Sequence, residues 1–196
     1  MKIIYALGCY LLGSIPTGYI FVYLSEKKDI RKYGSQATGA TNVLRLKGWK
    51  LALPVVLIDI FKGALPVYLV LTLFDDRLFA ALCGFLAVLG HCFPVFLRFK
   101  GGKGMATAVG TFLFLALKPL GLGLAVFLLV VIISRFVSLA SLSASLSLPL
   151  FIYILKGDPE VIAMSLAIFI FLAYTHRSNI IRLVKGEERK IGEKIG

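Results

Sequence analysis

Cysteine, histidine and acidic side chains are all scarce in this 196-residue chain. The three cysteines, Cys9, Cys83 and Cys92, stand in apolar stretches, and none forms a Cys-x-x-Cys pair. With only two histidines, His91 and His176, the recurring zinc arrangements are absent, so no metal is expected. The cysteines read as small hydrophobes packed between helices, and they fix no redox compartment. The Gly-x4-Gly-Lys-Ser/Thr phosphate loop of nucleotide-binding proteins is also missing, because Lys103 is followed by Gly104. ATP binding is therefore not expected, and neither is any other cofactor.

Ten acidic residues face 22 Lys and Arg, a formal charge of +12. In a water-soluble protein that excess would suggest nucleic acid. Here 59% of residues are hydrophobic and the mean hydropathy is +0.90, so cationic loops at a membrane surface explain it and no nucleic-acid partner is expected. The class is an all-α polytopic membrane protein, and with no shift in composition along the chain 1–196 reads as a single domain.

Seven apolar segments can be drawn, at 3–24, 51–73, 78–97, 105–117, 119–134, 137–155 and 160–175. The first is too long for a signal-peptide core and lacks a small-x-small cleavage site, so it reads as one retained helix. The fourth and fifth fall short of the ~20 residues that cross a bilayer core. Proline at 119 predicts the break between them. Seven crossings put 25–50, 98–104, 134–136 and the tail from 176 on one side. Those connections hold seventeen of the 22 cations; Lys2, Arg77, Lys118 and Lys156 lie on the other side. Positive charge marks the cytoplasmic side, which predicts an external N-terminus and a cytoplasmic C-terminus.

Three polar patches then share the cytoplasmic face. The first, at 33–45, sets Gly34 and Gly39 around Ser35 and Thr38 and continues through Thr41 and Asn42 to Arg45. Thr41 or Asn42 could cap a short helix whose free N–H groups attract phosphate, with Arg45 as a bidentate grip; an ordinary capped loop is the alternative. The second holds Lys100, Gly101, Gly102, Lys103 and Gly104, where glycine backbone can expose N–H groups as an anion nest under Lys103. The third begins at His176 and includes Asn179. His176 could be a general base, a donor to phosphate, or an interfacial hydrogen-bonder. His91 lies deeper and reads as structural. In the Ser-Leu alternation at 138–145, Ser141 either allows close helix packing or lines a polar cavity. Asp59 and Lys62, three residues apart on one helix face, are expected to pair.

These residues resemble one known family, the bacterial PlsY-type acylphosphate:glycerol-3-phosphate acyltransferases. The resemblance rests on Gly-Ser-Ile-Pro-Thr-Gly at 13–18 and the Gly-Ser-x-x-x-Gly-x-Thr-Asn-x-x-Arg run at 34–45. It continues with Asp-Ile-Phe-Lys-Gly at 59–63, Gly-Gly-Lys-Gly at 101–104 and Thr-His-Arg-Ser-Asn-Ile-x-Arg at 175–182. Glu188 fits the family's Gly-x-Glu ending after Gly186. The His-x4-Asp pair of the other large glycerolipid acyltransferase group is absent, since Phe96 and Ile181 stand five residues after His91 and His176.

The resemblance implies transfer of a fatty acyl group from acyl phosphate to the sn-1 hydroxyl of glycerol 3-phosphate, giving lysophosphatidic acid and phosphate, the first step of phospholipid synthesis. It implies catalytic roles for Ser35, Arg45, Lys103 and His176. Substrate contacts fall to Gly39, Thr41, Asn42, Gly101, Gly102, Gly104, Ser141, Asn179 and Glu188. Acyl phosphate is already an activated anhydride, so no cofactor is called for. Ser35 and Arg45 would hold the acyl-phosphate head, while Lys103, His176 and Asn179 would hold glycerol 3-phosphate. The base is either His176 or a substrate phosphate. Expected partners are the two substrates, membrane lipid and a soluble enzyme that makes acyl phosphate. The expected location is the bacterial cytoplasmic (inner) membrane with the site facing the cytoplasm. A transporter of phosphorylated metabolites and a non-catalytic lipid-binding scaffold are the competing classes. A transporter should carry anion-binding groups near midplane or on both faces, and a scaffold would need neither the glycine nest nor His176 beside Asn179.

Overall fold

The computed structural model describes residues 1–193 and is helical throughout. Its helices are α1 (Lys2–Gly13), α2 (Thr17–Glu26), α3 (Ala40–Lys47), α4 (Trp49–Phe74) and α5 (Arg77–Cys92). They continue with α6 (Met105–Leu115), α7 (Leu117–Ser134), α8 (Val137–Ile154), α9 (Pro159–Thr175) and α10 (Arg177–Val184). Five stretches are long and apolar enough to cross a membrane, or six if the pair α9–α10, bent by 64°, is one span; α6 is shorter. The bundle is an integral membrane architecture with lipid-facing apolar side chains such as Leu129, Ile132 and Ile133.

Two expectations about helix breaks change. The first apolar segment is two helices, because Pro16 cannot donate to the helix ladder and the chain turns at Ser14 and Ile15. Ser14 Oγ donates back to the Tyr10 carbonyl at 2.8 Å, and at the break the Ile15 carbonyl accepts from the Thr17 N–H at 3.0 Å and from Lys62 Nζ at 2.8 Å. The break expected at Lys118 and Pro119 falls instead at Ala116, whose φ of −156° leaves the helical region. Pro119 then occupies the first turn of α7, where a missing N–H breaks no hydrogen bond.

Glycine lets α4 and α6 cross closely. A Cβ on Gly63 of α4 would strike the Thr107 carbonyl of α6, and one on Gly110 of α6 would strike the Ile60 carbonyl of α4. The two backbones therefore touch, as small residues permit between membrane helices. The main core gathers Val67, Cys83, Val88, Phe112, Ile152, Ile168 and Leu172 from α4, α5, α6, α8 and α9. A smaller cluster of Val22, Ile30, Val43, Ala52 and Val55 seats α3 beneath the first patch.

The bundle's two ends are tied separately. At one end Lys2 meets Asp76 at 2.6 Å, Arg77 meets Asp158 at 2.6 Å, and Arg77 donates to the Leu115 carbonyl at 2.9 Å. At the other, Thr38 N–H donates to the Gly101 carbonyl at 3.3 Å and Thr175 Oγ1 to the Lys103 carbonyl at 3.0 Å. Ile191 N–H reaches the Arg135 carbonyl at 2.8 Å, which folds the C-terminal segment back over that end.

Candidate active site

All three patches open onto one cavity of about 350 Å³. Its wall includes Ser35, Gly39, Thr41, Asn42 and Arg45 from the first patch, Lys103 and Gly104 from the second, and His176, Asn179 and Glu188 from the third. Ser141 joins them from α8, so the cavity-lining reading of that serine is the one the geometry favours. The opposite wall is apolar, built from Ile60, Met105, Val109, Leu124 and Phe127.

The first patch is held by Asn42. Its Oδ1 accepts the Ser35 N–H at 3.0 Å, and its Nδ2 donates to the carbonyls of Tyr33 and Ala37 at 3.1 and 2.9 Å. These bonds fold the loop, and Asn42 also stands on the cavity wall, where substrate contact is expected of it. The cap of α3 is Gly39, in extended conformation, rather than Thr41 or Asn42, which sit in the first helical turn. Nothing stands where a Cβ on Gly39 would go, so the helix start is open to the cavity.

The second patch differs from an exposed glycine nest. Gly101 N–H donates to the Cys92 carbonyl at 3.2 Å and Gly102 N–H to the His91 carbonyl at 3.0 Å. Neither N–H is available for an anion. A Cβ on Gly102 would run into His91 Nε2, so the loop packs down onto α5. The return into the bundle starts α6 below the surface, at Gly104 with φ +86°, and Gly104, Met105 and Ala106 line the cavity. The first-turn N–H groups of α6 replace the glycine N–H groups as backbone donors.

Glu188 organises the third patch. One carboxylate oxygen accepts from Asn179 Nδ2 at 2.7 Å and Ser138 Oγ at 3.0 Å, and the other from Arg182 Nε at 2.8 Å. Burial works against the anion, but these donors outweigh it and hold its pKa below the usual carboxylate value. Lys103 Nζ donates to Asn179 Oδ1, joining the second and third patches. Arg45 Nη2 donates to the Arg189 carbonyl at 3.1 Å, joining the first patch to the C-terminal segment. Ser138 and Arg182 had no assigned role in the sequence; the run Thr-His-Arg-Ser-Asn-Ile-x-Arg that contains Arg182 was the signal for it.

Electrostatics follow from burial. Lys103 is pushed down to about 8 by burial, with Glu188 pulling up and Arg182 and Arg45 pushing further down. Burial also lowers Arg45, against the pull of Glu188. His176 falls to about 4, chiefly by burial and then by the Lys103 charge. Its Nδ1 lies 2.8 Å from the Leu172 carbonyl, which can only accept. Nδ1 therefore carries the proton, and Nε2 of the neutral ring is an acceptor. Arg45 and Lys103 supply the cations of the cavity wall; Glu188 is neutralised by Arg182 and Asp59 by Lys62, which leaves Arg45 and Lys103 to meet phosphate. Asp59 and Lys62 do pair, at 2.8 Å, and Asp59 and His91 also line the cavity. Among the described residues no three His, Cys, Asp or Glu side chains stand together as metal ligands would.

Fold and cavity together define a polytopic helical membrane protein with an anion-binding cleft at one end of its bundle. A family model described as glycerol-3-phosphate acyltransferase matches residues 3–186, and the chain belongs to that family. A glycerol-3-phosphate acyltransferase of Endomicrobium trichonymphae is 41% identical over 97% of this chain and 96% of its own. One from Syntrophotalea carbinolica is 42% identical over 94% of each. Among solved structures, the glycerol 3-phosphate form of PlsY, an integral membrane glycerol 3-phosphate acyltransferase, superposes with a TM-score of 0.93 at 36% identity. That match covers 97% of this chain and 96% of PlsY. The lysophosphatidic acid form gives 0.89 at 35% identity, covering 97% and 95%.

Proposed function

We propose that this protein acylates glycerol 3-phosphate at its sn-1 hydroxyl, taking the acyl group from acyl phosphate and releasing lysophosphatidic acid and phosphate. The observation that carries the reading is the single cavity in which Arg45, Lys103, His176 and Asn179 converge against an apolar wall. Two phosphates repel, so bringing both substrates together needs cations, and the apolar wall leaves the acyl chain in a lipid-like setting. Its family and the likeness to PlsY in its substrate form support the same acceptor.

Arg45, Ser35 and the N-terminus of α3 hold the acyl-phosphate head. Lys103 and Asn179 hold the phosphate of glycerol 3-phosphate, and Glu188 fixes Asn179 for that purpose. The sn-1 oxygen attacks the acyl carbonyl carbon, the carbonyl becomes a tetrahedral oxyanion, and its collapse breaks the C–O bond to phosphate. Lys103 and the first N–H groups of α6 stabilise the oxyanion, each such donor being worth ~3–4 kcal/mol in well-studied enzymes. His176 Nε2 accepts the attacking hydroxyl's hydrogen bond and orients it. A pKa of about 4 makes that imidazole a poor resting place for the proton, and a phosphate with second pKa ≈ 6 is the better one. The proton leaves with inorganic phosphate.

Topology completes the proposal. Chain 1–196 forms one domain that crosses a bacterial inner membrane seven times, with α6 as a short crossing, N-terminus outside and C-terminus cytoplasmic. The cation bias and the alternation of the two tied ends along the chain support it. The cavity then faces the cytoplasm, where a soluble acyl-phosphate-synthesising enzyme can deliver its product. Purified protein in detergent, given acyl phosphate and glycerol 3-phosphate, should release phosphate and form lysophosphatidic acid. No turnover with any acyl-chain length would sink the reading.

A further inference from the structure

The cavity wall carries an anion that acyl transfer as written leaves unused. Asp59 of α4 is 1% exposed and lines the cavity. Lys62 Nζ stands 2.8 Å from Asp59 Oδ1 as an ion pair, while its hydrogen bond goes to the Ile15 carbonyl, 2.8 Å away. Neither carboxylate oxygen accepts a well-aligned hydrogen bond from any described residue. His91 Nδ1, 3.6 Å from Oδ1, is beyond hydrogen-bond reach. A carboxylate left like this inside a membrane protein is expensive, and such groups mark functional positions.

The chemistry of the ligands narrows what it can receive. Glu188 already has three donors, so Asp59 is the carboxylate on this wall with accepting capacity to spare. Phosphate dianions offer acceptors and would be repelled by it. The donors that the two substrates bring are the two hydroxyls of glycerol 3-phosphate, and the sn-1 hydroxyl is consumed as nucleophile. Position agrees with this assignment. Lys103 follows Gly102, and Gly102 packs on His91 beside Asp59, so the phosphate-gripping cation and the carboxylate border the same part of the cavity.

We infer that Asp59 accepts a hydrogen bond from the middle, unacylated hydroxyl of glycerol 3-phosphate, with Lys62 holding the carboxylate in its charged form. Asp59 thereby selects a three-carbon polyol phosphate over a simple alcohol phosphate. The inference rests on the proposed acyltransferase reading.

The probe is 3-hydroxypropyl phosphate, which keeps the phosphate and the acylated hydroxyl and lacks the middle one. With acyl phosphate as donor, wild-type protein should use it with kcat/KM about 10–100-fold below glycerol 3-phosphate, the range for a lost hydrogen bond to a charged group. The double variant Asp59→Leu/Lys62→Met removes the ion pair as a unit, which spares the bundle an unpaired buried charge. In it the ratio between the two acceptors should shrink to within about threefold. Equal use of both acceptors by wild type overturns the inference. So does an unchanged ratio in the variant, or a variant that loses both acceptors in equal measure. If the variant does not elute as a monodisperse species, wild type alone decides through competition against glycerol 3-phosphate. There 2-fluoro-3-hydroxypropyl phosphate, with an electronegative atom that cannot donate, should compete less well than 3-hydroxypropyl phosphate, and equal or better competition overturns the inference. No lysophosphatidic acid from wild type with glycerol 3-phosphate itself would instead sink the parent reading.

Discussion

Arg45 donates to the Arg189 carbonyl at the cavity wall, with most of its guanidinium hydrogen-bonding capacity left for a ligand. Arg45→Ala should therefore cut turnover by about two orders of magnitude, the scale of one lost charge-stabilising donor, with the thermal unfolding midpoint unchanged within a few degrees. Near-normal turnover would remove Arg45 from the site. Lys103 makes the sharper test, because its pKa of about 8 puts a charge change inside the working range. The cation is present below that value and lost as pH rises through it. The kcat/KM for glycerol 3-phosphate should thus fall above pH 8, and in Lys103→Arg this alkaline limb should disappear because guanidinium keeps its proton. An alkaline limb that survives in Lys103→Arg belongs to another group. At the acid end, His176→Ala should lower the rate yet retain a limb near the second pKa of a phosphate; loss of that limb would return the base to His176. The polar patches singled out Arg45, Lys103, His176 and Asn179, the family resemblance added Glu188, and all five line one cavity. The loop-holding bonds of Asn42 were not legible, because its partners Tyr33 and Ala37 accept through backbone carbonyls that no side-chain pattern reveals.

At the scale of elements, the contact between α4 and α6 fixes where the floor of the cavity lies. Leucine in place of Gly110 would gain about 1 kcal/mol of helix propensity. Against that, its Cβ meets the Ile60 carbonyl, a backbone atom that cannot rotate aside, and overpacking costs about 1–3 kcal/mol or more. The clash wins, so Gly110→Leu should lower the unfolding midpoint in detergent; a raised midpoint would mean the helices separate freely. The seven apolar segments in the sequence correspond to helices, since hydropathy and length carry that information. Helix breaks were less legible. Pro16 ends α1, yet Pro119 only begins α7, and the difference lies in whether a preceding turn needs the missing N–H. The glycine loop misled for a related reason: free backbone donors are inferred from composition, whereas the carbonyls of His91 and Cys92 that take them lie eleven and nine residues upstream.

For the whole molecule, the proposed topology puts residues 156 and 185 on opposite sides of the membrane. All three native cysteines are buried, so they give little background to an impermeant maleimide. In intact cells Lys156→Cys should label and Lys185→Cys should label only after the membrane is opened. The reverse pattern, or labelling of both from outside, would overturn the proposed topology.

The segment after α10 closes the pocket: Glu188 sets Asn179, and Ile191 pairs with Arg135. A ribosome makes these residues after every helix of the bundle. Insertion and packing can therefore run to completion while the phosphate site is still unformed. Until that segment folds back, Asn179 lacks the carboxylate that sets its amide, and the bundle alone does not complete the site.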